Sequence, residues 1–408
     1  MLTRDPLLTT RDGRLLLGSQ ALSFAGHGIS AVALPWLVLD TGGSSTSAGL
    51  VFTFTVLPYV VFGLPAGVVG DRRPPRQVIW TTHLLQALVA IAVPLWSLGG
   101  VPPLALVLAA GFVIGAGRVF SDAAVFGLLP PIAGMERIMH AQATLGAAWS
   151  VGVLSGPAIG GVLVAAIGPA RALAVEAGCL LVAAVVIRLL RVGTTRAAGG
   201  RARSPGEVVR AGLGTIFGDP FLRRLTVFGA IWVGVAAGAW GLLVPLLREQ
   251  IGLGSGQTGV VLAVAGIAGV VASPLVGLLS VRLSGVSIIM RALPVLAASI
   301  AACGLAPGFA LAAVSVFVFH LVDAMITAAY IGERQRRASL ELQATVGIFG
   351  RMLIMSALTI GSAAASALAG PIDLPVLYVG MAVAVVAIAA LGGPAVVRSA
   401  REPAPEAL

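Results

Sequence analysis

The sequence predicts an all-α polytopic membrane protein of twelve transmembrane helices arranged as two six-helix bundles. Three observations predict it. Roughly a dozen apolar runs of about 20 residues, the length that spans a ~30 Å hydrocarbon core, fill the chain almost from end to end. The composition is 58% hydrophobic and 10% charged, with a mean hydropathy of +1.01, which no water-soluble domain of this length matches. One long polar stretch, near the middle, divides six runs from six.

The first six spans are expected near 15–39, 46–69, 77–98, 103–129, 141–166 and 171–190. The second six are expected near 224–247, 255–280, 285–305, 309–332, 343–368 and 374–393. Pro58, Pro65, Pro94, Pro157, Pro245, Pro274 and Pro294 fall inside them and read as kinks, because packed neighbours satisfy backbone groups freed within a membrane. Strands are excluded, since membrane barrels use alternating segments of about ten residues. The organisation is therefore an N-terminal bundle over 1–190, a linker over 191–223, a C-terminal bundle over 224–398 and a tail over 399–408. Within the linker, Gly, Ser, Thr and Arg dominate 193–204, and Pro205 to Phe217 reads as a weakly amphipathic interfacial helix.

Arginine supplies all 26 basic residues. With the N-terminus inside, the external loops hold only Arg171 and Arg248, so the bias of basic loops toward the cytoplasm places both termini there, in the inner (plasma) membrane. That bias also accounts for a pI near 11.3, and nucleic acid is not an expected partner. The first apolar run is too long for a cleaved signal. Cys179 and Cys303 are isolated in apolar spans and read as packing residues. No phosphate-binding loop, metal cluster or catalytic triad is visible, so neither an enzyme nor a cofactor or metal site is expected.

Gly67-Val68-Val69-Gly70-Asp71-Arg72 echoes Gly277-Leu278-Leu279-Ser280-Val281-Arg282, half the chain away. Parallel six-helix repeats are one pattern of transporters with a substrate path between two bundles. The string Gly67-x-x-x-Asp71-Arg72-x-x-x-Arg76 resembles the loop signature of the major facilitator superfamily, although Pro74-Pro75 replace the usual glycine and basic residue. The resemblance implies a conformational latch at Gly67, Asp71, Arg72 and Arg76. Physically, the glycines permit close helix approach and Asp71 can face a helix N-terminus.

In the fifth span, Gly152-x-x-x-Gly156-Pro157-x-x-Gly160-Gly161 is similar to the motif of proton-coupled exporters in that superfamily. Ordinary small-residue packing is the alternative reading. Leu16-Leu17-Gly18-Ser19-Gln20, Gly26-His27-Gly28-Ile29, Ala33-Leu34-Pro35-Trp36, Asp122-Ala123-Ala124 and Leu128-Leu129-Pro130 look like the bacterial enterobactin-exporter and macrolide-efflux branch. That branch commonly has an Asp where this chain has His27.

An ionisable residue within a span costs about 2.5–3.5 kcal/mol on insertion scales and needs a partner, a wet cavity or a function. His27, His320, Asp323 and Asp122 are the proton-coupling candidates. Arg118 and Asp122 share a helix face and are expected to pair, as are Asp323 and Arg351 at similar depth on adjacent spans. Glu176 reads as a residue reaching the outer interface. His27 titrates in a useful range, with a neutral histidine bonded to a neighbouring helix as the alternative. Trp36, Tyr59, Gln86, Trp232 and Trp240, with Phe52 and Phe54, are candidates to line a substrate path, each with a lipid-facing or core position as the alternative.

The expectation is a monomeric secondary active transporter with alternating access, exporting a hydrophobic or amphipathic small molecule (drug, siderophore or secondary metabolite) by proton antiport. Its partners are that substrate, protons and the lipid bilayer. The rivals are an importer or lipid mover on the same scaffold, and a non-transporting membrane sensor.

Overall fold

The computed structural model describes residues 6–192, 214, 216–337 and 343–400; within them the side chains of Asp71 and Arg351 are not described. The expected interfacial helix from Pro205 to Phe217 and the tail from 401 onward therefore lie mostly or wholly outside the described residues.

The described residues hold twelve helices of 20 residues or more. In the first half these are α1 (Arg11–Asp40), α2 (Ser45–Arg72), α3 (Pro75–Ser97), α4 (Leu104–Val125), α5 (Ile138–Ile167) and α6 (Pro169–Arg188). In the second half they are α7 (Pro220–Gly241), α8 (Ser255–Ser280), α9 (Gly285–Gly304), α10 (Phe309–Arg337), α11 (Gln343–Leu368) and α12 (Leu374–Ser399). Ten helical segments are long and apolar enough to cross a membrane, and α5 and α11 contribute the shorter apolar stretches Ser155–Ile167 and Met352–Leu368.

Local chemistry sets the boundaries. Thr10, Ser44 and Ser284 accept from the N–H of Gly13, Ser47 and Ser287 and start α1, α2 and α9. Asp219 does the same for α7 through Phe221 and Leu222. Proline opens α3, α6 and α7, where a missing N–H costs nothing. Gly168, at φ +82°, makes the reversal between α5 and α6 in a region that side chains avoid.

Two spans change helical form near one end while continuing as the segments Pro220–Gln250 and Leu104–Ala133. The seventh passes after Gly241 into Leu243–Pro245 and a π-helical turn over Leu246–Gln250, where Pro245 has no N–H to return to the turn before it. Pro245 thus lies inside a helical segment that runs from Pro220 to Gln250. The fourth tightens after Val125 into a 3₁₀ turn and the short helix Leu129–Ala133, which opens on Pro130 and Pro131.

The chain divides into two compact units, one of residues 1–202 with 254–266 and one of 203–253 with 267–408. In the first unit α1 packs on α5 and α6, α3 on α4 and α6, and α2 on α4. In the second unit α7 packs on α11 and α12, and α9 on α10 and α12. The second set of pairings repeats the first six helices later. The start of α8 groups with the first unit, where a Cβ on Gly259 would stand 2.8 Å from Gly161 Cα.

The α1–α5 crossing is built on glycine. A Cβ on Gly156 would lie 2.8 Å from Gly28 Cα, one on Gly160 2.8 Å from Ile29 Cα, and one on Gly152 would meet the Phe24 side chain. In the second unit Gly361 of α11 meets the backbone of Gly234 on α7 in the same way. The repeat is therefore visible in a glycine-built crossing of each unit as well as in the order of pairings.

Candidate functional site

Charged and polar groups gather inside the first unit. His83 and Gln86 lie three apart on one face of α3 and both are fully buried. The Gln86 amide reaches in two directions: its Oε1 is 3.1 Å from His83 Nδ1, and its Nε2 is 3.0 Å from His27 Nε2 on α1. That nitrogen also donates to the carbonyl of Ile114 on α4 at 2.7 Å. Gly117 on α4 makes the room, since a Cβ there would stand 2.6 Å from Gln86 Cδ.

Around this chain of contacts, α4 supplies Arg118, which lies within electrostatic range of His27, Tyr59 and Asp122. Its Nε has no hydrogen bond among the described residues. Asp122 accepts a hydrogen bond from the Tyr59 hydroxyl of α2 at 3.1 Å. Ser30 donates to the His27 carbonyl at 3.1 Å.

Glu176 is fully buried and does not reach an interface, which corrects the expectation from the sequence. Its α6 helix turns it toward α1, where a Cβ on Gly26 would be 3.5 Å from its Cγ. Neither carboxylate oxygen has a hydrogen-bond partner among the described residues. Ser30 is the neighbouring hydroxyl, but as placed it serves the His27 carbonyl.

In the second unit His320 lies against Trp240, ring centroids 4.2 Å apart and inclined at 39°. Asp323 lies one turn along α10 beside the buried Trp232 indole, whose N–H makes no hydrogen bond among the described residues. Trp232 meets Tyr330 edge-on at 6.2 Å, and the Arg334 guanidinium stacks over Tyr330 at 5.3 Å. The expected Asp323–Arg351 pair falls on a side chain outside the described residues.

The loop residues separate. Gly67 has nothing within 4 Å of where a Cβ would stand, so it makes no close helix approach here. Arg72 is exposed. Arg76 donates to the carbonyl of Arg188 at 2.7 Å, on the last turn of α6, where a cation also suits the helix dipole. Asp71 lies outside the described side chains.

The aromatic and amide candidates also divide. Trp36, Trp232 and Gln86 are buried, while Tyr59, Trp240, Phe52 and Phe54 keep partial exposure. Gln86 is occupied by two histidines and a carbonyl, so it is not free to line a path. His83 is not among the residues that the sequence singles out; a histidine three residues before a glutamine in an apolar run is the signal that points to it. No group of three or more His, Cys, Asp or Glu able to hold a metal occurs among the described residues.

Known proteins bear on this arrangement. The family model described as Major Facilitator Superfamily matches residues 16–349. A protein named multidrug efflux pump Tap from Mycolicibacterium fortuitum is 33% identical over 243 residues, covering 57% of each chain. A protein of the same name from Mycobacterium tuberculosis is 35% identical over 165 residues, 38% of each chain. The chain thus matches little more than half the length of the first of these relatives. Among solved structures, the nucleoside transporter NupG superposes with a TM-score of 0.79 at 12% identity, over 97% of this chain and 100% of that one. A bacterial homologue of the human lysosomal transporter Spinster, inward-facing and unoccupied, gives 0.73 at 14%, over 97% and 100%. At these identities the structures speak for the fold alone.

Proposed function

The chain belongs to the Major Facilitator Superfamily, and from that premise we propose that it is a secondary active transporter exporting a hydrophobic or amphipathic small molecule by proton antiport. The work is done as a monomer of the inner (plasma) membrane with both termini in the cytoplasm, by alternating access between two bundles. The relatives named multidrug efflux pumps support the outward direction.

The single observation that carries the coupling half is the buried contact of His27 with Gln86 and, through it, His83. An ionisable imidazole held inside a span by a neutral amide, with Arg118 near it, sits where insertion is costly and is kept for a function. His27 carries the exchanged proton. Asp122, His320 and Asp323 are the next candidates, and Asp323 is the first to test because Trp232 and Trp240 put aromatic surface beside it and His320.

Gly67, Asp71, Arg72 and Arg76 act on the equilibrium between conformations. Gly152, Gly156, Pro157, Gly160 and Gly161 keep α5 seated against its neighbours while that equilibrium shifts. Tyr59 and Trp240, which keep partial exposure, line the substrate path.

Inverted membrane vesicles test the proposal. An imposed proton gradient is expected to drive uptake of fluorescent amphipathic dyes into them and to dissipate as they enter. Gradient-independent dye movement, or movement only in right-side-out vesicles, overturns antiport or export respectively.

A further inference from the structure

Hydrogen-bond arithmetic at Gln86 fixes more than its position. A side-chain amide has two donor hydrogens on nitrogen and an acceptor oxygen. The atom 2.7 Å from the Ile114 carbonyl must be the nitrogen, because an oxygen there would face another acceptor. One Nε2 hydrogen goes to Ile114 and the other points at His27 Nε2. His27 Nε2 is therefore an acceptor, and the neutral ring carries its hydrogen on Nδ1. By the same count Gln86 Oε1 accepts, so His83 carries its hydrogen on Nδ1. The outer nitrogens, His27 Nδ1 and His83 Nε2, have no partner among the described residues.

We propose that Gln86 is a positioning residue that holds His27 in its Nδ1–H tautomer, so that a proton taken up on His27 Nε2 breaks the Gln86–His27 contact. The inference rests on the reading of His27 as the proton carrier. When a proton adds to Nε2, that nitrogen becomes a donor aimed at a donor. The contact with His27 is then lost while the bonds to the Ile114 carbonyl and His83 Nδ1–H stay, because inverting the amide would set Oε1 against that carbonyl and Nε2 against that N–H. Release of the proton from Nε2 restores the first arrangement, and no other bond forms or breaks.

The packing supports a device of this kind. Gly117 leaves space against the amide itself, with a Cβ there reaching 2.5 Å from Cγ and 2.8 Å from Nε2 of Gln86. The amide is thus bounded by the backbone of α4 on one side and by two imidazoles on the others. The titratable and charged groups facing His27 are His83 from α3 and Arg118 from α4, while Glu176 of α6 lies against the adjacent Gly26. From α2, Tyr59 reaches Asp122, also of α4, and α5 meets this part of α1 through Gly152, Gly156 and Gly160.

The test is nitrogen-15 spectroscopy of histidine-labelled full-length protein in lipid bilayers, with the four histidines assigned by single replacement. At alkaline pH the wild type is expected to show His27 protonated on Nδ1. Gln86→Glu, which presents only acceptors, is expected to convert it to Nε2–H or imidazolium and to move the pH midpoint of transport upward by about one unit or more, as an adjacent carboxylate does. Gly117→Ala, which displaces the amide and leaves both rings intact, is expected to lose the Nδ1–H preference. A wild-type His27 protonated on Nε2, or tautomers unchanged in both variants, overturns the proposal. A wild type that shows the Nδ1–H tautomer but moves dye without a proton gradient sinks the antiport reading and leaves the role of Gln86 in setting the tautomer supported.

Discussion

Gly28 and Gly156 meet backbone to backbone, with a Cβ on Gly156 falling 2.8 Å from Gly28 Cα and 3.0 Å from the Ala25 carbonyl oxygen. No side chain fits there without moving a helix. Gly156→Leu is expected to wedge α5 from α1 and to reduce transport. Overpacking costs about 1–3 kcal/mol, comparable with the gap of a few kcal/mol between conformations. Gly361→Leu, at the matching α7–α11 crossing, is expected to do the same. Normal transport by both, measured in vesicles, would remove the packing account.

His27→Ala is expected to abolish gradient-driven accumulation while sparing downhill counterflow of substrate, because counterflow moves no net protons. Full uphill transport by the variant would move the coupling role elsewhere, first to Asp323 and then to Asp122.

Asp71→Asn is expected to slow transport and leave insertion and thermal unfolding near wild type, since the latch acts on the balance of conformations. Wild-type transport rates in reconstituted vesicles would count against it.

Asp219 serves two partners. Its Oδ1 accepts from the N–H of Phe221 and Leu222, and its Oδ2 pairs with Arg337 Nε at 3.1 Å. Asp219→Ala is expected to lower stability by about 1–2 kcal/mol through the lost cap. Asp219→Asn keeps a capping oxygen and is expected to lose less. Thermal unfolding of the two in detergent separates cap from charge, and equal losses would assign the effect to the ion pair.

Glu176→Gln keeps the shape of a fully buried side chain and removes its capacity for charge, whose burial is costly. It is expected to unfold at or above the wild-type temperature, whereas Glu176→Ala, which leaves a cavity beside Gly26, is expected to unfold below it. A Gln variant less stable than the Ala variant would show that a charged carboxylate is needed.

The spans were legible because hydropathy and breakers act locally. The run 255–280 coincides with α8 to the residue, and the run 343–368 ends with α11 at Leu368. The change of helical form beyond Gly241 in the seventh span accompanies Pro245, which the sequence marks as a departure from regular helix without fixing its form. Residues of the site were legible as polarity out of place, which singled out His27, Arg118 and Asp122. Their partners were not, because which face of α3 turns toward α1 is a tertiary fact. The burial of Glu176 depends likewise on the rotation of α6. The small-residue row of Ala357, Gly361 and Ala365 in α11 carries the same four-residue spacing as α5, but without repeated glycines it does not stand out from an alanine-rich background.

The first turn of α1 holds the end of α6. Arg11 donates to the Leu189 carbonyl at 3.0 Å, and Asp12 accepts from the N–H of Arg191 and Val192 at 3.0 and 3.1 Å. These partners lie some 180 residues apart, so during synthesis at about 5–20 residues per second the amino-terminal turn waits roughly 10–40 s for its clasp. The order in which the ribosome releases the chain thereby becomes part of how this unit closes.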